Sequence, residues 1–277
     1  MDSPTVLITG CGTGIGHATA RAFEEAGWEV YATDPDPEAL TDLEEAGCTT
    51  AKLDVTSAED AEAVVEAMLD EHGRIDCLYN NTGYGQLGPV EEVPTDELRE
   101  QLDVNFLGQH RLVRAVLPHM REQGEGTIVN MASIYGRTVF PGQGAYASSK
   151  WAVEALTDTL RVEVDDYGID VVTIEPGPVE TEFGERALET KEDLETTDAY
   201  DWFYRMYDEK RYDRRFIDRG IGYVQPERVA EVVVEAAESE DPQRRYVVGP
   251  WKALVYLGYV VPDSVRDRVY GLLKRFL

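Results

Sequence analysis

Seven short apolar runs recur along the chain, each flanked by glycine or small polar residues. They fall at Thr5–Thr9, Glu29–Thr33, Thr50–Leu53, Cys77–Asn80, Thr127–Met131, Val171–Glu175 and Tyr246–Val248, and their β-branched content predicts strands. Between them, apolar residues return at helical spacing over Ala58–Glu71, Asp96–Met120, Ala145–Tyr167 and Glu227–Ala237, which predicts helices. Strand and helix alternate, so the expected fold class is α/β: a parallel sheet with right-handed crossovers and helices on both faces. The pattern breaks between Glu180 and Gln225, where Tyr200, Trp202, Phe203, Tyr204, Tyr207, Tyr212, Phe216 and Tyr223 stand among many charges. Beyond about residue 250 the tail, Trp251 to Leu277, carries Val265, Val269, Leu272, Leu273 and Phe276 at helical spacing. No repeat or low-complexity linker divides the chain, so residues 1–277 are expected to form one domain.

The chemistry-bearing residues gather at strand ends. After the first strand comes Gly10-Cys-Gly-Thr13-Gly14-Ile15-Gly16, then an Ala-rich helical stretch. Strand, glycine loop and helix start form a phosphate cradle: glycines admit a pyrophosphate closely, and the helix N-terminus offers unpaired N–H groups. Asp34 closes the second strand, 18 residues after Gly16. A carboxylate there accepts hydrogen bonds from an adenosine ribose and repels a 2′-phosphate. No cation stands at Thr13 or Pro35, so NAD is expected over NADP. The plainer role for Asp34 is an N-cap for the next helix, which Asp36 can serve equally well. Further on, Tyr146 and Lys150 lie four residues apart, one turn on a helix face. A cation beside a phenol favours the phenolate and draws its pKa down towards the working range. Ser133, 13 residues upstream, can hold a carbonyl oxygen; its plainer role is a turn hydroxyl.

Together these motifs resemble the short-chain dehydrogenase/reductase family, from about Thr5 to about Val248. Leu53-Asp54-Val55 resembles the segment bordering the adenine. Asn80-Asn81-Thr82-Gly83 matches the Asn-Asn-Ala-Gly motif with Thr82 in place of Ala, and Pro176-Gly177-Pro178-Val179-Glu180-Thr181 matches the nicotinamide-side loop. The resemblance implies a doubly wound Rossmann fold with a seven-stranded parallel sheet in the order 3-2-1-4-5-6-7. It also implies a variable substrate lid at about 180–225, ahead of the C-terminal extension at about 250–277. Asn105, Ser133, Tyr146 and Lys150 are then the catalytic set, with Asn105 interrupting its helix and organising a proton relay through Lys150. Gly10, Thr13, Gly14, Ile15, Gly16, Asp34, Asp54, Val55, Asn81 and Gly83 fall to the cofactor, as do Pro176, Gly177, Val179 and Thr181, with Tyr146 and Lys150 shared. Tyr84, Gln86, Ile134, Tyr135, Val139 and Gln143 follow motif residues and are expected to line the substrate pocket. The implied activity is hydride transfer between NAD and a secondary alcohol or ketone. The wording after Gly83 is most like hydroxysteroid and retinol dehydrogenases, hence a bulky apolar substrate. Two alternatives stay open: a sugar epimerase or dehydratase, and a redox-sensing module that holds NAD without turnover. The first usually carries a different glycine loop, and the second usually loses the Tyr or Lys.

Composition narrows the partners. With 26 basic and 54 acidic residues the net charge is −28, which repels phosphate backbones and excludes nucleic-acid binding. Lysine supplies only six of the basic residues. Acid excess with scarce lysine resembles proteins of salt-accumulating cells, where a Debye length near ~3 Å or less screens self-repulsion; the simpler reading is an acidic protein. Cys11, Cys48 and Cys77 lack metal-ligand spacing, and no His-Glu-His set suggests zinc. No cationic, apolar leader opens the chain and no apolar stretch is long enough to span a bilayer, so a cytoplasmic protein is expected. The tail is locally basic through Arg266, Arg268, Lys274 and Arg275; docking on the core or a partner subunit is expected rather than a membrane surface. Homodimers or homotetramers built on the long helices are the expected assembly.

Overall fold

The computed structural model describes residues 3–207, 223–250, 252, 253, 255, 256 and 261–276. Tyr212 and Phe216 of the aromatic segment, and Trp251 and Leu277 of the tail, lie outside the described residues.

Strands β1 (Thr5–Thr9), β2 (Glu29–Asp34), β3 (Thr49–Lys52), β4 (Cys77–Asn80), β5 (Gly126–Met131), β6 (Ile169–Pro176) and β7 (Arg245–Val248) form one sheet in the order 3-2-1-4-5-6-7. All its pairings are parallel. The strands read as apolar runs because both faces are covered. Their two-residue period divides them cleanly. Val6, Ile8, Cys77, Tyr79, Val129, Val172 and Ile174 enter one core, while Leu7, Leu78, Ile128 and Val171 enter the other. Helices α1 (Gly14–Glu25) and α9 (Pro226–Glu238) cover the first face with Phe23, Val229 and Val233. Helices α3 (Ala58–His72), α5 (Gly108–Gln123) and α6 (Gly144–Glu163) cover the second with Val64, Met68, Leu112, Val116 and Leu160. This is the doubly wound Rossmann arrangement. Because β1 lies between β2 and β4, the crossovers diverge there and leave a crevice beyond the carboxyl ends.

The helix predicted over Asp96–Met120 is in fact α4 (Thr95–Leu102), a π turn (Asp103–Leu107) and α5. Asn105 sits inside that turn, fully buried. Such turns release carbonyls from the helical ladder and recur at functional sites. The helix predicted to reach Tyr167 stops at Glu163, followed by one 3₁₀ turn over Asp165–Tyr167.

After β6 the chain forms α7 (Phe183–Glu189) and α8 (Asp201–Met206). Their side chains build a small third core: Phe203 and Tyr207 pack with Leu87 and Ala187. Tyr200 and Tyr204 donate to Glu91 and Glu92, each at 2.6 Å. Most of the aromatics thus serve this segment's own packing. The short helix α2 (Thr41–Glu45) lies before β3, and α10 (Asp263–Phe276) forms the tail. On α10, Val265, Val269 and Leu272 are 45%, 50% and 53% exposed, so these three of the apolar residues expected to dock on the core or a partner subunit are open in the single chain.

Candidate active site

The glycine loop joins β1 to α1 under tight constraint. A Cβ on Gly16 would stand 2.0 Å from the Gly10 carbonyl oxygen and 2.5 Å from Asn81 Nδ2, so no other residue fits. Gly10 and Gly14 have φ of 71° and 61°, in the region that favours glycine. Asn81 Nδ2 donates to the carbonyls of Thr9 and Gly10, both at 3.0 Å; its amide braces the loop. Thr13 precedes α1 in extended conformation, and its side chain makes no capping bond. The first turn of α1 therefore keeps its N–H groups for a ligand.

Asp34 is turned towards this loop. Its Oδ2 accepts from Gly12 N at 2.9 Å and its Oδ1 from Asp36 N at 3.1 Å. The helix-capping task goes to Asp36, which accepts from Glu38 N. Asp54 accepts from Thr56 N and Oγ1 at 2.9 and 2.7 Å, closing its own turn, while Val55 packs under Gly108. Ile15 packs against the first core. Across the crevice, Gly177 N donates to the Val248 carbonyl, and Val179 bridges Val224. Thr181 approaches Gly14 closely, its Cγ2 3.2 Å from where a Cβ would stand. A glycine cradle, an uncapped helix start and a carboxylate turned to the loop fit a dinucleotide. A cavity of about 590 Å³ beside this cradle, between α1 and α9, reaches Thr13, Gly14 and Thr181, away from Tyr146.

Ser133, Tyr146 and Lys150 converge beyond the end of β5. All three are buried, at 5%, 8% and 2% exposure. Ser133 Oγ accepts from Tyr135 N at 3.2 Å and lies near enough to the Tyr146 phenol to favour its ionised form. Lys150 Nζ donates to the Met131 carbonyl at 2.9 Å and lies 5.8 Å from the Tyr146 ring centre. Burial pulls the Lys150 ammonium down to about 8 against the opposing pull of Glu154. Burial also pushes the Tyr146 phenol up to about 12, although the Ser133 hydrogen bond opposes it. In the protein alone the phenol thus follows its burial rather than Lys150, whose ammonium is held by a carbonyl.

Asn105 ties the site together. Its Oδ1 accepts from Tyr84 N at 3.0 Å, and its Nδ2 donates to Tyr84 O and Ser149 Oγ at 2.9 and 3.1 Å. Ser149 in turn donates to the Tyr146 carbonyl at 2.7 Å. Both N–H bonds of the side chain are spent on these contacts. Gly83 lets the segment pass: a Cβ there would stand 3.1 Å from Asn105 Oδ1 and 3.5 Å from Lys150 Nζ.

The residues expected to line the substrate pocket divide. The Tyr135 ring stands edge-on to Tyr146 at 6.0 Å, Ile134 is buried beside it, and Val139 is 38% exposed. The Tyr84 backbone is gripped by Asn105, and its hydroxyl is buried. Gln86 is buried, and its amide donates to the Leu87 and Thr190 carbonyls; it fastens the segment after α7 and leaves little for a ligand. Gln143 bridges Gly88 and starts α6. Sequence reasoning missed Phe183, whose ring is edge-on to Tyr146 at 5.5 Å and 39% exposed. Only its aromatic character beside Thr181 hinted at it.

It also missed a buried ionic cluster one turn beyond Lys150. Arg137 Nη2 meets Glu154 Oε2 and its Nε meets Glu175 Oε1, both at 2.8 Å. Arg245 Nε reaches the same two oxygens at 3.2 and 3.4 Å. Among the described residues, no three His, Cys, Asp or Glu side chains assemble as metal ligands, and no helix is long and apolar enough to cross a membrane.

Comparison with known proteins places this geometry. An uncharacterized oxidoreductase of Escherichia coli is 33% identical over 96% of this chain and 93% of its own length. Human 17-beta-hydroxysteroid dehydrogenase type 1 is 34% identical over 89% and 77%. A solved short-chain dehydrogenase from Streptomyces avermitilis superposes with a TM-score of 0.79 at 33% identity, covering 99% and 97% of the chains. Similar structures include a xylitol dehydrogenase holding NAD+ (30% identity, 89% and 97% coverage, TM-score 0.77) and a serine dehydrogenase holding NADP+ (26%, 90% and 95%, 0.78). The short chain dehydrogenase family matches residues 4–192, and the chain belongs to it.

Proposed function

We propose that this oxidoreductase moves hydride between NAD(H) and a secondary alcohol or ketone bearing a bulky apolar group. The observation that carries the reading is the meeting of Ser133, Tyr146 and Lys150 at the mouth of the dinucleotide crevice. A bound nicotinamide supplies the hydride chemistry; the protein orients it and handles the proton. Tyr146 Oη holds the proton that passes to the carbonyl oxygen on reduction and receives it back on oxidation. With the phenol near 12, the protonated form prevails at neutral pH, ready for reduction. Ser133 holds the same substrate oxygen, Lys150 serves the phenol and the cofactor ribose, and Asn105 fixes the backbone around them. Tyr135 and Phe183 flank Tyr146 with aromatic edges, which favours an apolar substrate, as does the steroid enzyme among the relatives. A screen of alcohols and ketones with NAD, read by nicotinamide absorbance, tests this reading. Tight NAD binding without turnover of any would favour the sensor instead.

For the cofactor, Asp34 is decisive. Its carboxylate, held by Gly12 N, would face a 2′-phosphate with no cation at Thr13 or Pro35. NAD is expected to bind much more tightly than NADP, and Asp34→Ser to weaken NAD and narrow the gap. Equal affinities for the unaltered protein in paired titrations would end the NAD assignment.

The assignment extends to setting. The chain acts as one domain with a lid and a C-terminal extension. Its three free, buried cysteines suit a reducing cytoplasm. Exposed Leu107, Trp151 and Val162 beside the long helices favour a homodimer or homotetramer. The charge of −28 favours a salt-rich interior, where screening relieves repulsion. Thermal melts from dilute to multi-molar potassium chloride are expected to rise, and light scattering in the same series to give a multiple of 31.0 kDa. A flat melting curve removes the salt adaptation, and a single-chain mass removes the oligomer.

A further inference from the structure

The Met131 carbonyl, last in β5, receives two donors. One is Lys150 Nζ at 2.9 Å; the other is Gln109 Nε2 at 3.2 Å. Gln109 stands in the first turn of α5, four residues after Asn105 and so on the same helix face. It is 4% exposed, and its Oε1 is fully buried with no hydrogen-bond partner. A buried amide oxygen left unpaired costs about 1–3 kcal/mol, so it calls for an explanation. Packing alone would place Leu or Met here more cheaply. The Asn105 Nδ2 donates to Tyr84 O and Ser149 Oγ and its Oδ1 accepts from Tyr84 N, so its recorded bonds hold the backbone. Gln109 is the polar side chain that shares the ammonium's own acceptor.

We propose that Gln109 is a positioning residue for Lys150: its N–H holds the Met131 carbonyl beneath the ammonium, and its Oε1 holds a second ammonium proton through one bridging water. This rests on the reading of Lys150 as the lysine that serves Tyr146. A buried, unpaired acceptor on a side chain that shares the ammonium's carbonyl is the kind of group a bridging water satisfies. The arrangement opposes the burial that otherwise favours neutral lysine. It leaves Lys150 charged and aimed at the phenol rather than free to swing. The other charged or titratable groups recorded around Lys150 are Tyr146 and Glu154 on α6. Behind Glu154 stand Arg137, Glu175 and Arg245. Gln109 adds no charge to this set, so its effect is on hydrogen bonding alone.

Only six lysines occur in the chain, so selective ¹⁵Nζ-lysine labelling gives a short spectrum in which Lys150→Met identifies the Lys150 signal. In the unaltered protein that signal is expected to titrate at about 8. Gln109→Met keeps the shape and removes both hydrogen bonds; the midpoint is expected to fall by about half to one pH unit. Gln109→Glu restores an acceptor and is expected to hold the midpoint at or above that of the unaltered protein. In alcohol oxidation, the rising limb of kcat/KM should move to higher pH by a similar amount in Gln109→Met, with KM for NAD changed less than kcat. A Lys150 midpoint unmoved in Gln109→Met, or lowered equally in Gln109→Glu, overturns the proposal, whatever the rate does. The NMR titration needs no turnover. An inactive unaltered protein with the expected titration would therefore reject the catalytic reading and leave this placement standing.

Discussion

Tyr146→Phe is expected to keep the fold and the NAD affinity while turnover falls by ~10²–10⁴, the usual worth of one positioned proton donor. The change removes a hydroxyl and little volume. The ring keeps its edge contacts with Tyr135 and Phe183, and the backbone carbonyl still accepts from Ser149. Lys150→Met should differ: it strips a donor from the Met131 carbonyl and the cation from the ribose, so turnover and NAD affinity fall together. Calorimetric NAD titration beside initial rates separates the two. Full activity in Tyr146→Phe on a confirmed substrate would remove Tyr146 from the mechanism.

Arg137→Met is expected to be the most destabilising single change near the site, at about 3–5 kcal/mol. It takes the nearest guanidinium from two buried carboxyl groups, Glu154 and Glu175, which are 7% and 1% exposed on their side chains. Arg245 still reaches both, which places the loss towards the lower end. The same cluster makes stability depend on pH. Burial pushes the Glu154 carboxyl up from its ordinary 4.5 to about 8, helped by Glu175 and opposed by Arg137. A carboxyl raised on folding stabilises the fold fully below its unfolded pKa and loses that contribution as pH climbs through the folded one. The melting temperature is therefore expected to lose this contribution between about pH 4.5 and 8, and Glu154→Gln to flatten the decline. Denaturant melts across that range decide it. A milder loss than about 1 kcal/mol in Arg137→Met would show that the cluster relaxes when broken.

The strands were legible because a parallel sheet buries both faces, so Val6-Leu7-Ile8 and Val171-Val172 stand out as unbroken apolar runs. The glycine loop was legible because Gly16 leaves no room for a side chain. What hid in the sequence was whatever depends on depth or distant contact. Tyr146 and Lys150 could be paired from their spacing, yet spacing says nothing of burial, and burial reversed the direction of the phenol's shift. The break at Asn105 was legible only through the family resemblance, because the apolar spacing of Asp96–Met120 runs through it unbroken. Arg137, Glu154, Glu175 and Arg245 come from four separate elements, and no local pattern announces their meeting. The place of Gln109 follows only from the end of β5, whose Met131 carbonyl accepts from its amide.

The three cysteines lend the chain a use of another kind. Cys11, Cys48 and Cys77 all lie in the core shared by α1 and α9, and none belongs to the core on the opposite face. Burial pushes the Cys48 thiol up to about 11 and the other two higher still, so none offers a thiolate to an alkylating reagent while the fold is closed. Labelling can then proceed only when that face of the sheet opens, and its rate becomes a clock for the opening. Loosening confined to the α3–α5–α6 face would pass unrecorded. One reagent, with no engineered probe, would thus time the opening of this one face.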